Sequence, residues 1–441
     1  MTLRFGTDGV RGPAEELTDE LVAALGTAAA KVLGSGQGFV IGRDTRESGA
    51  RLEAALAGGL AAGGAGPQSL GVVPTPTVAW VCAARGIPGA VISASHNPWS
   101  DNGIKFFAAG GRKLTDDVED ELESVLDGLL SSRPPSPLAV VPEAPAPGAE
   151  AWLDALVGSL EGRRLDGLQV VIDCANGAVS AFAADGLRRL GAEVEVLHAD
   201  PDGRNINAQS GSTYPQELCR RVVELGARVG LAFDGDADRV LAVDETGGLV
   251  DGDHLIALFA VDLRQRGRLA GDRVVVTVMT NLGFKLAMAE QGIEVVETAV
   301  GDRYVLEALE RTGGSLGGEQ SGHIVLADLA ATGDGLLSGA QLLDLLVRSG
   351  RPLSELAAEV MTQLPQVLVN VPVAQRRADI AEAMAEPIAV EEAALGGRGR
   401  VLVRPSGTEP LVRVMVEAES PEIAAAVADR LAEVARSLCG G

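Results

Sequence analysis

The chain has 441 residues, with 37 lysines and arginines against 61 aspartates and glutamates, so its net charge is −24. A chain this acidic is a poor candidate for coating nucleic acid or anionic membranes, because both rely on clustered cations. Hydrophobic residues make up 46% and charged residues 22%, proportions that exclude intrinsic disorder and the collagen-like and coiled-coil classes. The length allows roughly two to four domains.

One long uncharged stretch, between Ala54 and Ala84, could be mistaken for a membrane span. Its paired glycines, together with Pro67, Pro74 and Pro76, predict several short buried elements in place of one continuous helix. The first residues lack the apolar run of a signal peptide, and the four cysteines lie far apart without metal-ligand spacing. We therefore expect reduced thiols, a cytoplasmic location and no membrane partner.

Secondary-structure elements are predicted in chain order from apolar periodicity. Short apolar runs alternate with longer helical patterns, and this alternation predicts βαβ units and a parallel sheet. The predicted strands lie at 38–44, 69–73, 90–95, 168–173, 193–198, 229–234, 273–278 and 294–300, and the predicted helices at 47–63, 76–86, 178–190, 215–225 and 253–267.

Composition also predicts how the chain divides into domains. Pro, Ser and Ala become frequent over 131–148, which indicates a linker. The tail from about Gln366 looks smaller, with three strands and a closing helix that has Ser420 as N-cap and Pro421 in its first turn. The fold class is therefore α/β: three related α/β domains with mixed or parallel sheets and a smaller α+β C-terminal domain. The predicted domains are 1–148, 149–250, 251–363 and 364–441.

The string SASHNPWSDNGIK begins where a predicted strand ends. In open α/β sheets, ligands bind outside the carboxyl ends of the strands. Ser93, Ser95, His96 and Asn97 are grouped there, where a hydroxyl could be exposed as a nucleophile. A capping turn rich in Ser and Asn explains the same residues equally well. If Ser95 is the nucleophile, we expect Ser93 to tolerate alanine far better than Ser95 does.

The string FDGDADRV places Asp234, Asp236 and Asp238 at alternate positions. In an extended chain these side chains share one face, and at about 5 Å and an effective dielectric near 20 each pair would repel by roughly 3 kcal/mol. Mg²⁺ or Ca²⁺ would reverse that repulsion. An EF-hand is excluded, because Arg239 stands where that loop requires Gly and the flanks are strand-like. A solvated acidic turn remains the alternative.

The string LGGEQSGHI has Glu319, Ser321 and His323 at alternate positions after two glycines. A carboxylate beside a hydroxyl is a common arrangement for binding sugar hydroxyls. A glycine-rich hairpin with a hydrogen-bonded histidine accounts for the pattern as well.

The string RPSGTEPLVR offers two guanidinium groups, two hydroxyls and an exposed backbone N–H. These are the donors that a phosphate dianion requires. The alternative is a plain turn with surface ion pairs. The residues concerned are Arg404, Ser406, Gly407, Thr408 and Arg413.

Taken together, the four strings supply a nucleophilic serine, a divalent cation, a hydroxyl-binding loop and a phosphate clamp. That combination predicts phosphoryl transfer on a phosphosugar. Neither a Walker A string nor a GxGxxG after a strand occurs, which argues against ATP-dependent kinases and dinucleotide oxidoreductases.

These strings, with GTDGVRG near the N-terminus, resemble the motifs of the α-D-phosphohexomutase superfamily, in the same order and over essentially the whole chain. FGTDGVRG, NPWSDNGIKFF, VGDRYV and the Gln of GEQSGH are similar to the branch that acts on glucosamine phosphates. Trp99 and Ser100 depart from the pattern, since an aromatic pair is more usual there. The resemblance implies four domains around a central cleft.

The resemblance also implies roles for individual residues. Ser95 would be the phosphoserine, and one Mg²⁺ per subunit would be bound by the Ser95 phosphate, Asp234, Asp236 and Asp238. Arg239 would face that phosphate, and Arg11, His96 and Lys105 would lie near the transferred group as acid, base or electrostatic helpers. Glu319 and Ser321 would bind sugar hydroxyls, with Asp302 and Arg303 nearby. The phosphate that is not reacting would be bound by Arg404, Ser406, Gly407, Thr408 and Arg413.

The implied reaction phosphorylates glucosamine 6-phosphate at O1, turns the 1,6-bisphosphate over, returns the 6-phosphate to Ser95 and releases glucosamine 1-phosphate. This product would feed synthesis of UDP-N-acetylglucosamine and cell-wall precursors. The expected partners are the phosphosugar, glucosamine 1,6-bisphosphate or a similar bisphosphate as activator, a kinase or autophosphorylation to prime Ser95, and a second copy in a homodimer. A phosphomannomutase or phosphoglucomutase is the alternative enzyme. A non-catalytic sugar-phosphate sensor is the other alternative, although it would need neither Ser95 nor the three aspartates.

Overall fold

The computed structural model describes residues 9–34, 36, 38–131, 148–374, 377–405 and 410–439. The predicted linker at 131–148 lies almost entirely outside these ranges. The chain forms two compact units, the first of Met1–Met279 with Gly292–Val360 and the second of Thr280–Gln291 with Met361–Gly441. Within the described ranges no helix is both long and apolar enough to cross a bilayer.

The first α/β segment is built on a five-stranded mixed sheet. β2 pairs in parallel with β3 and β4, whereas β5 pairs antiparallel with β4 and β1. The uncharged stretch forms α2, β3 and α3, as predicted. The sheet order is β1-β5-β4-β2-β3, and the elements are β1 (Val10–Pro13), α1 (Asp19–Leu33), β2 (Gly38–Arg43), α2 (Gly49–Ala62), β3 (Gly66–Val72), α3 (Thr75–Arg85), β4 (Gly89–Ile92), β5 (Asp101–Phe107) and α4 (Asp116–Ser131).

The second segment repeats the order of four strands of the first, but its antiparallel edge strand comes last in the chain, whereas β1 comes first. β6 pairs in parallel with β7 and β8, and β9 pairs antiparallel with β8 and β10. The helix predicted over 178–190 is shorter, because a 3₁₀ turn at Ala178–Ala181 precedes it. The sheet order is β10-β9-β8-β6-β7, and the elements are α5 (Ala149–Gly158), β6 (Gln169–Asp173), α6 (Ala183–Arg189), β7 (Glu193–Leu197), α7 (Gln216–Leu225), β8 (Val229–Phe233), β9 (Val240–Asp244) and β10 (Leu249–Val250).

The third segment has the same strand senses without the last edge strand. β11 is parallel to β12 and β13, and β13 forms an antiparallel hairpin with β14. The predicted set of related α/β segments is therefore confirmed. The sheet order is β12-β11-β13-β14, and the elements are α8 (Gly252–Gln265), β11 (Arg273–Thr277), α9 (Leu282–Glu290), β12 (Glu294–Thr298), α10 (Asp302–Thr312), β13 (Leu316–Gly318), β14 (Ile324–Leu326), α11 (Gly335–Ser349) and α12 (Leu353–Val360).

The second unit contains the predicted α+β tail, an antiparallel sheet of order β15-β17-β16 covered by α15. Val427 and Leu431 of α15 are buried in one core with Val414 of the sheet. Ser420 accepts a hydrogen bond from the Ile423 N–H at 3.3 Å, as expected of an N-cap. The elements are β15 (Gln366–Pro372), α13 (Ile380–Ala383), α14 (Ala385–Leu395), β16 (Arg400–Pro405), β17 (Leu411–Glu417) and α15 (Pro421–Cys439).

Helix α9 also belongs to the second unit, although it lies inside the third α/β segment in chain order. The Asn281 side chain caps α9 and exchanges two hydrogen bonds with the backbone of Leu364, at 2.9 and 3.0 Å. Fully buried Glu417 accepts the Leu282 N–H at 2.8 Å and pairs with Arg400 at 2.8 Å. These contacts make α9 an integral part of the tail.

Candidate active site

Ser95 lies just beyond the carboxyl end of β4, where strand-end position predicted a functional side chain. It is fully buried and has a positive φ of 51°, a conformation uncommon for any residue but Gly. Its hydroxyl donates to Asp234 Oδ2 at 2.6 Å, and the Nδ1 atom of His96 lies 3.3 Å from the same oxygen. The hydroxyl is thus directed at the acidic string.

The peptide groups on both sides of the Ser95 Cα atom are held by other side chains. The Ser95 N–H donates to Ser93 Oγ at 2.9 Å, and Ser93 Oγ donates to Asp44 at 2.7 Å. The Ser95 carbonyl accepts hydrogen bonds from Arg46 at 2.9 Å and Asn207 at 2.8 Å. Because the Ser93 hydroxyl supports the main chain of Ser95, we expect alanine at Ser93 to have a measurable cost; the expectation that Ser93 tolerates alanine far better than Ser95 does stays a prediction.

Asp44, Arg46 and Asn207 were not predicted as site residues. Asp44 and Arg46 follow directly after β2, so the strand-end rule that drew attention to Ser95 applied to them as well. Asn207 lies in a long connection between β7 and α7, where the sequence carries no comparable signal.

The three predicted aspartates follow β8 and converge, with their carboxylate oxygens within 4.8 Å of one another. Asp234, Asp236 and Asp238 are all buried. The chain here is a turn, with Ala237 at a φ of 57°, so the assumption of an extended chain was wrong. The convergence comes from the turn and not from strand alternation.

The charges of the acidic turn are unequal. Lys105 Nζ lies 2.9 Å from Asp236 and 3.4 Å from Asp238. Burial, followed by repulsion from Asp238 and Asp236, raises the pKa of Asp234 well above its usual range. Burial acts in the same direction on Asp238, but Lys105 and His323 together hold the pKa of Asp238 well below its usual value. The turn therefore brings together three carboxylates that Lys105 and Arg239, whose Nε atom lies 3.8 Å from Asp238, only partly balance.

The donors of the acidic turn fit a hard divalent cation. The Oδ1 atoms of Asp236 and Asp238 are buried and accept no hydrogen bond from any described residue, a costly arrangement unless a cation binds them. The Oδ2 atom of Asp236 is already fixed by Thr75, whose hydroxyl donates to it at 2.7 Å. Carboxylate oxygens at this density are the ligand set of Mg²⁺ or Ca²⁺.

His96 is kept neutral by its surroundings. Burial, then the charges of Arg239 and Arg11, lower the pKa of His96 to about 4. Arg239 Nη1 lies 3.0 Å from His96 Nδ1, and since a guanidinium can only donate, Nδ1 accepts and the proton is on Nε2. The Arg239 backbone N–H also donates to Asp234 Oδ1 at 3.2 Å. Arg239 and His96 thus connect the serine loop to the acidic turn.

The predicted sugar-binding string forms the loop of the β13–β14 hairpin, as the hairpin alternative proposed. Glu319 Oε1 accepts the Gly301 N–H at 3.1 Å, and Gln320 donates to Asp251 at 3.3 Å. Ser321 is exposed. The hairpin therefore offers one oriented carboxylate and one accessible hydroxyl.

His323 connects this hairpin to the acidic turn. It is buried, with Nδ1 at 3.7 Å from Asp238 and Nε2 at 3.6 Å from Asp302. Asp302 also pairs with Lys113, and Arg303 pairs with two carboxylates of α4, Asp116 and Glu119. Asp302 and Arg303, which the resemblance placed near the sugar, thus each have an ion-pair partner in the first segment.

In the second unit, Arg404 of β16 and Arg413 of β17 are directly opposite each other in the sheet register. Like charges at paired positions are destabilising, and burial and then Arg413 lower the pKa of Arg404. An anion shared by both guanidinium groups would offset this repulsion. Ser406, Gly407 and Thr408 lie outside the described residues.

The residues brought together in the first unit form a connected cluster around Ser95. Arg11 lies on β1 at the edge of this cluster and influences it through its charge on His96. The members in contact are Ser95, His96, Lys105, Asp234, Asp236, Asp238, Arg239 and His323.

Comparison with known proteins accounts for most of the chain. Family models described as phosphoglucomutase/phosphomannomutase match four successive parts: alpha/beta/alpha domain I at 2–131, domain II at 150–248, domain III at 251–364 and the C-terminal domain at 368–434. The chain belongs to the phosphoglucomutase/phosphomannomutase family. The repeated strand order of the first three sheets is thus the repeated α/β domain of this family.

Relatives in the family can be aligned with this chain over nearly its full length. The chain is 51% identical to a phosphoglucosamine mutase of Rhodococcus opacus over 98% of this chain and 99% of the relative. It is 52% identical to a phosphoglucosamine mutase of Frankia alni, with 99% of each chain covered. A solved N-acetylphosphoglucosamine mutase of Aspergillus fumigatus, in complex with GlcNAc-6P and magnesium, shares the fold with a TM-score of 0.69 at 20% identity, over 100% of this chain and 96% of that chain.

Proposed function

We propose that this protein is an isomerase that interconverts glucosamine 6-phosphate and glucosamine 1-phosphate through a phosphoserine at Ser95. The assignment of the sugar is supported by the curated phosphoglucosamine mutases that are about half identical over almost the whole chain. The observation that carries the chemistry is the buried hydroxyl of Ser95, held 2.6 Å from Asp234 in a cluster of three carboxylates.

The groups around Ser95 suit transfer of a phosphoryl group. The carboxylates of Asp234, Asp236 and Asp238 would hold Mg²⁺, the cation of the A. fumigatus complex. When bound, this cation supplies positive charge against the phosphoryl oxygens. Lys105 and Arg239 add positive charge, and neutral His96 keeps an N–H at Nε2 as a hydrogen-bond donor.

The two half-reactions use the same serine. Phosphorylated Ser95 gives its phosphoryl group to O1 of glucosamine 6-phosphate, which forms the 1,6-bisphosphate and frees the serine hydroxyl. After the sugar turns over, the 6-phosphoryl group passes to Ser95 and glucosamine 1-phosphate leaves. Glu319 and Ser321 would bind sugar hydroxyls, and Arg404 and Arg413 the phosphate that is not reacting. The bisphosphate activator, the priming of Ser95 and a homodimer stay predictions.

The first expected result concerns the sugar. We expect kcat/KM for glucosamine 6-phosphate to exceed the values for glucose and mannose 6-phosphates by about 10- to 100-fold, because a site that accommodates an amine leaves polar groups unpaired when a hydroxyl replaces it. Rates measured by phosphorus NMR on the three 6-phosphates test this. Equal values would overturn the glucosamine assignment and favour a broad hexose-phosphate mutase.

The second expected result concerns the paired arginines. Arg404→Ala should raise KM by roughly 100-fold with a much smaller effect on kcat, because a charge-assisted contact to phosphate contributes about 2–3 kcal/mol to binding. Arg398→Ala is the matched control, since Arg398 is a largely exposed arginine of the same unit paired with Glu419. If KM is the same for both variants, Arg404 does not bind the phosphate.

A further inference from the structure

The Arg46 side chain is fully buried, and every one of its donors has a partner. Nε donates to Asp44 Oδ2 at 2.8 Å. The two terminal nitrogens donate to main-chain carbonyls of the segment that follows β4. These are Ser95 at 2.9 Å, Asn97 at 2.8 Å, Asp101 at 3.0 Å, and Pro98. Five contacts match the five N–H groups of a guanidinium.

Asp44 extends this arrangement to the other side of Ser95. Its Oδ1 atom accepts the Arg46 backbone N–H at 3.0 Å, and its Oδ2 atom accepts Ser93 Oγ at 2.7 Å. Ser93 Oγ in turn accepts the Ser95 N–H at 2.9 Å. The Asp44–Arg46 pair therefore fixes both the N–H and the carbonyl of the nucleophile.

These hydrogen bonds to the N–H and the carbonyl of Ser95 matter because Ser95 has a φ of 51°. Left-handed backbone in a non-glycine residue is strained and persists only when its surroundings enforce it. The same conformation places Oγ 2.6 Å from Asp234. If the segment relaxed, the hydroxyl would turn away from the acidic turn.

We propose that Arg46, together with Asp44, is a positioning residue for phosphoryl transfer at Ser95. It holds the segment 95–101 in the strained conformation that aims the serine hydroxyl at the aspartates. The inference rests on the proposed function of Ser95. Lysine could not replace Arg46, because a single ammonium with three donors cannot reach Asp44 and four separate carbonyls.

The decisive variant is Arg46→Lys, which keeps the positive charge beside Asp44. We expect kcat to fall about 100-fold, the usual effect of displacing a reacting group by about 1 Å, while KM changes by less than about 3-fold because no contact with the sugar is touched. The rate at which added glucose 1,6-bisphosphate phosphorylates Ser95 should fall by the same factor. A merely structural role would lower stability and leave the rate per folded molecule unchanged.

Arg51→Lys is the matched control. Arg51 also donates to two main-chain carbonyls, those of Leu17 and Ala14, and to a carboxylate, that of Asp19, and none of these three residues belongs to the segment 95–101. Its kcat should remain within about 2-fold of the wild-type value. Rates are normalised to the folded fraction measured by circular dichroism.

A second variant covers the case in which Arg46→Lys does not fold. Ser93→Ala removes one hydroxyl from the N–H side of the same arrangement, and we expect about a 10-fold loss in kcat at constant KM. Wild-type rates in a folded Arg46→Lys or Ser93→Ala variant would overturn the inference. If the wild-type protein itself accepts no phosphoryl group at Ser95, the proposed function fails instead.

Discussion

Ser95→Ala is expected to abolish turnover while sugar-phosphate binding stays near the wild-type level. Its hydroxyl is the only group in this mechanism that forms and breaks a bond to phosphorus, so we expect kcat to fall by at least about 10⁴-fold. The groups proposed to bind the sugar and the distant phosphate are untouched. Turnover followed by phosphorus NMR and affinity measured by calorimetry separate the two effects.

The controls for this variant follow from the local structure. Alanine can adopt the positive φ of Ser95 about as well as serine can, so the variant should keep the local backbone conformation. Ser180→Ala is the matched change, because Ser180 donates only to the nearby Gly177 carbonyl, at 2.7 Å. A Ser95→Ala protein with more than about one hundredth of wild-type kcat would exclude the phosphoserine mechanism.

Removal of divalent cations should have the second largest effect. Three carboxylates within 4.8 Å of one another repel, and two of their buried oxygens accept no hydrogen bond among the described residues. Chelation should therefore lower activity by at least about 10³-fold, and added Mg²⁺ should restore it. Mg²⁺ at about 100 times its Kd should also stabilise the fold by about 2.7 kcal/mol, which calorimetric unfolding detects without any assay of activity.

Asp236→Asn separates the metal site from general charge effects. It keeps the shape of the side chain but removes a unit of charge, so the Mg²⁺-dependent rise in Tm should shrink and more Mg²⁺ should be needed for turnover. Asp166→Asn is the control, since Asp166 is an exposed partner of Arg164. Full activity in the presence of a strong chelator would refute the metal assignment.

The regular part of the fold was predictable because apolar runs determine it. Val40 and Ile41 of β2 and Val91 and Ile92 of β4 are completely buried, and uninterrupted apolar runs of this kind indicate strands covered on both faces. The acidic cluster was predicted correctly for an incorrect reason. The turn at Ala237, and not strand alternation, brings its carboxylates together.

The supporting contacts could not be predicted, because they join residues far apart in the chain. Arg46 reaches carbonyls 49 to 55 positions away, and Asn207 reaches Ser95 across 112 positions. Local periodicity contains no information about such pairs. The same holds for His96, whose pKa of about 4 depends on burial beside Arg239 and Arg11, and for the contacts of the Ser93 hydroxyl with Asp44 and the Ser95 N–H.

The placement of α9 has a consequence for biosynthesis. A nascent chain emerges from the ribosome at about 5–20 residues per second, so α9 is complete several seconds before Glu417 and β17 are available. During that interval the Leu282 N–H at the start of α9 lacks its acceptor, the Glu417 carboxylate. The third α/β segment is therefore synthesised with an inserted helix whose partner strand has not yet been translated, and a messenger truncated before β17 would yield a chain in which α9 permanently lacks its contact with Glu417.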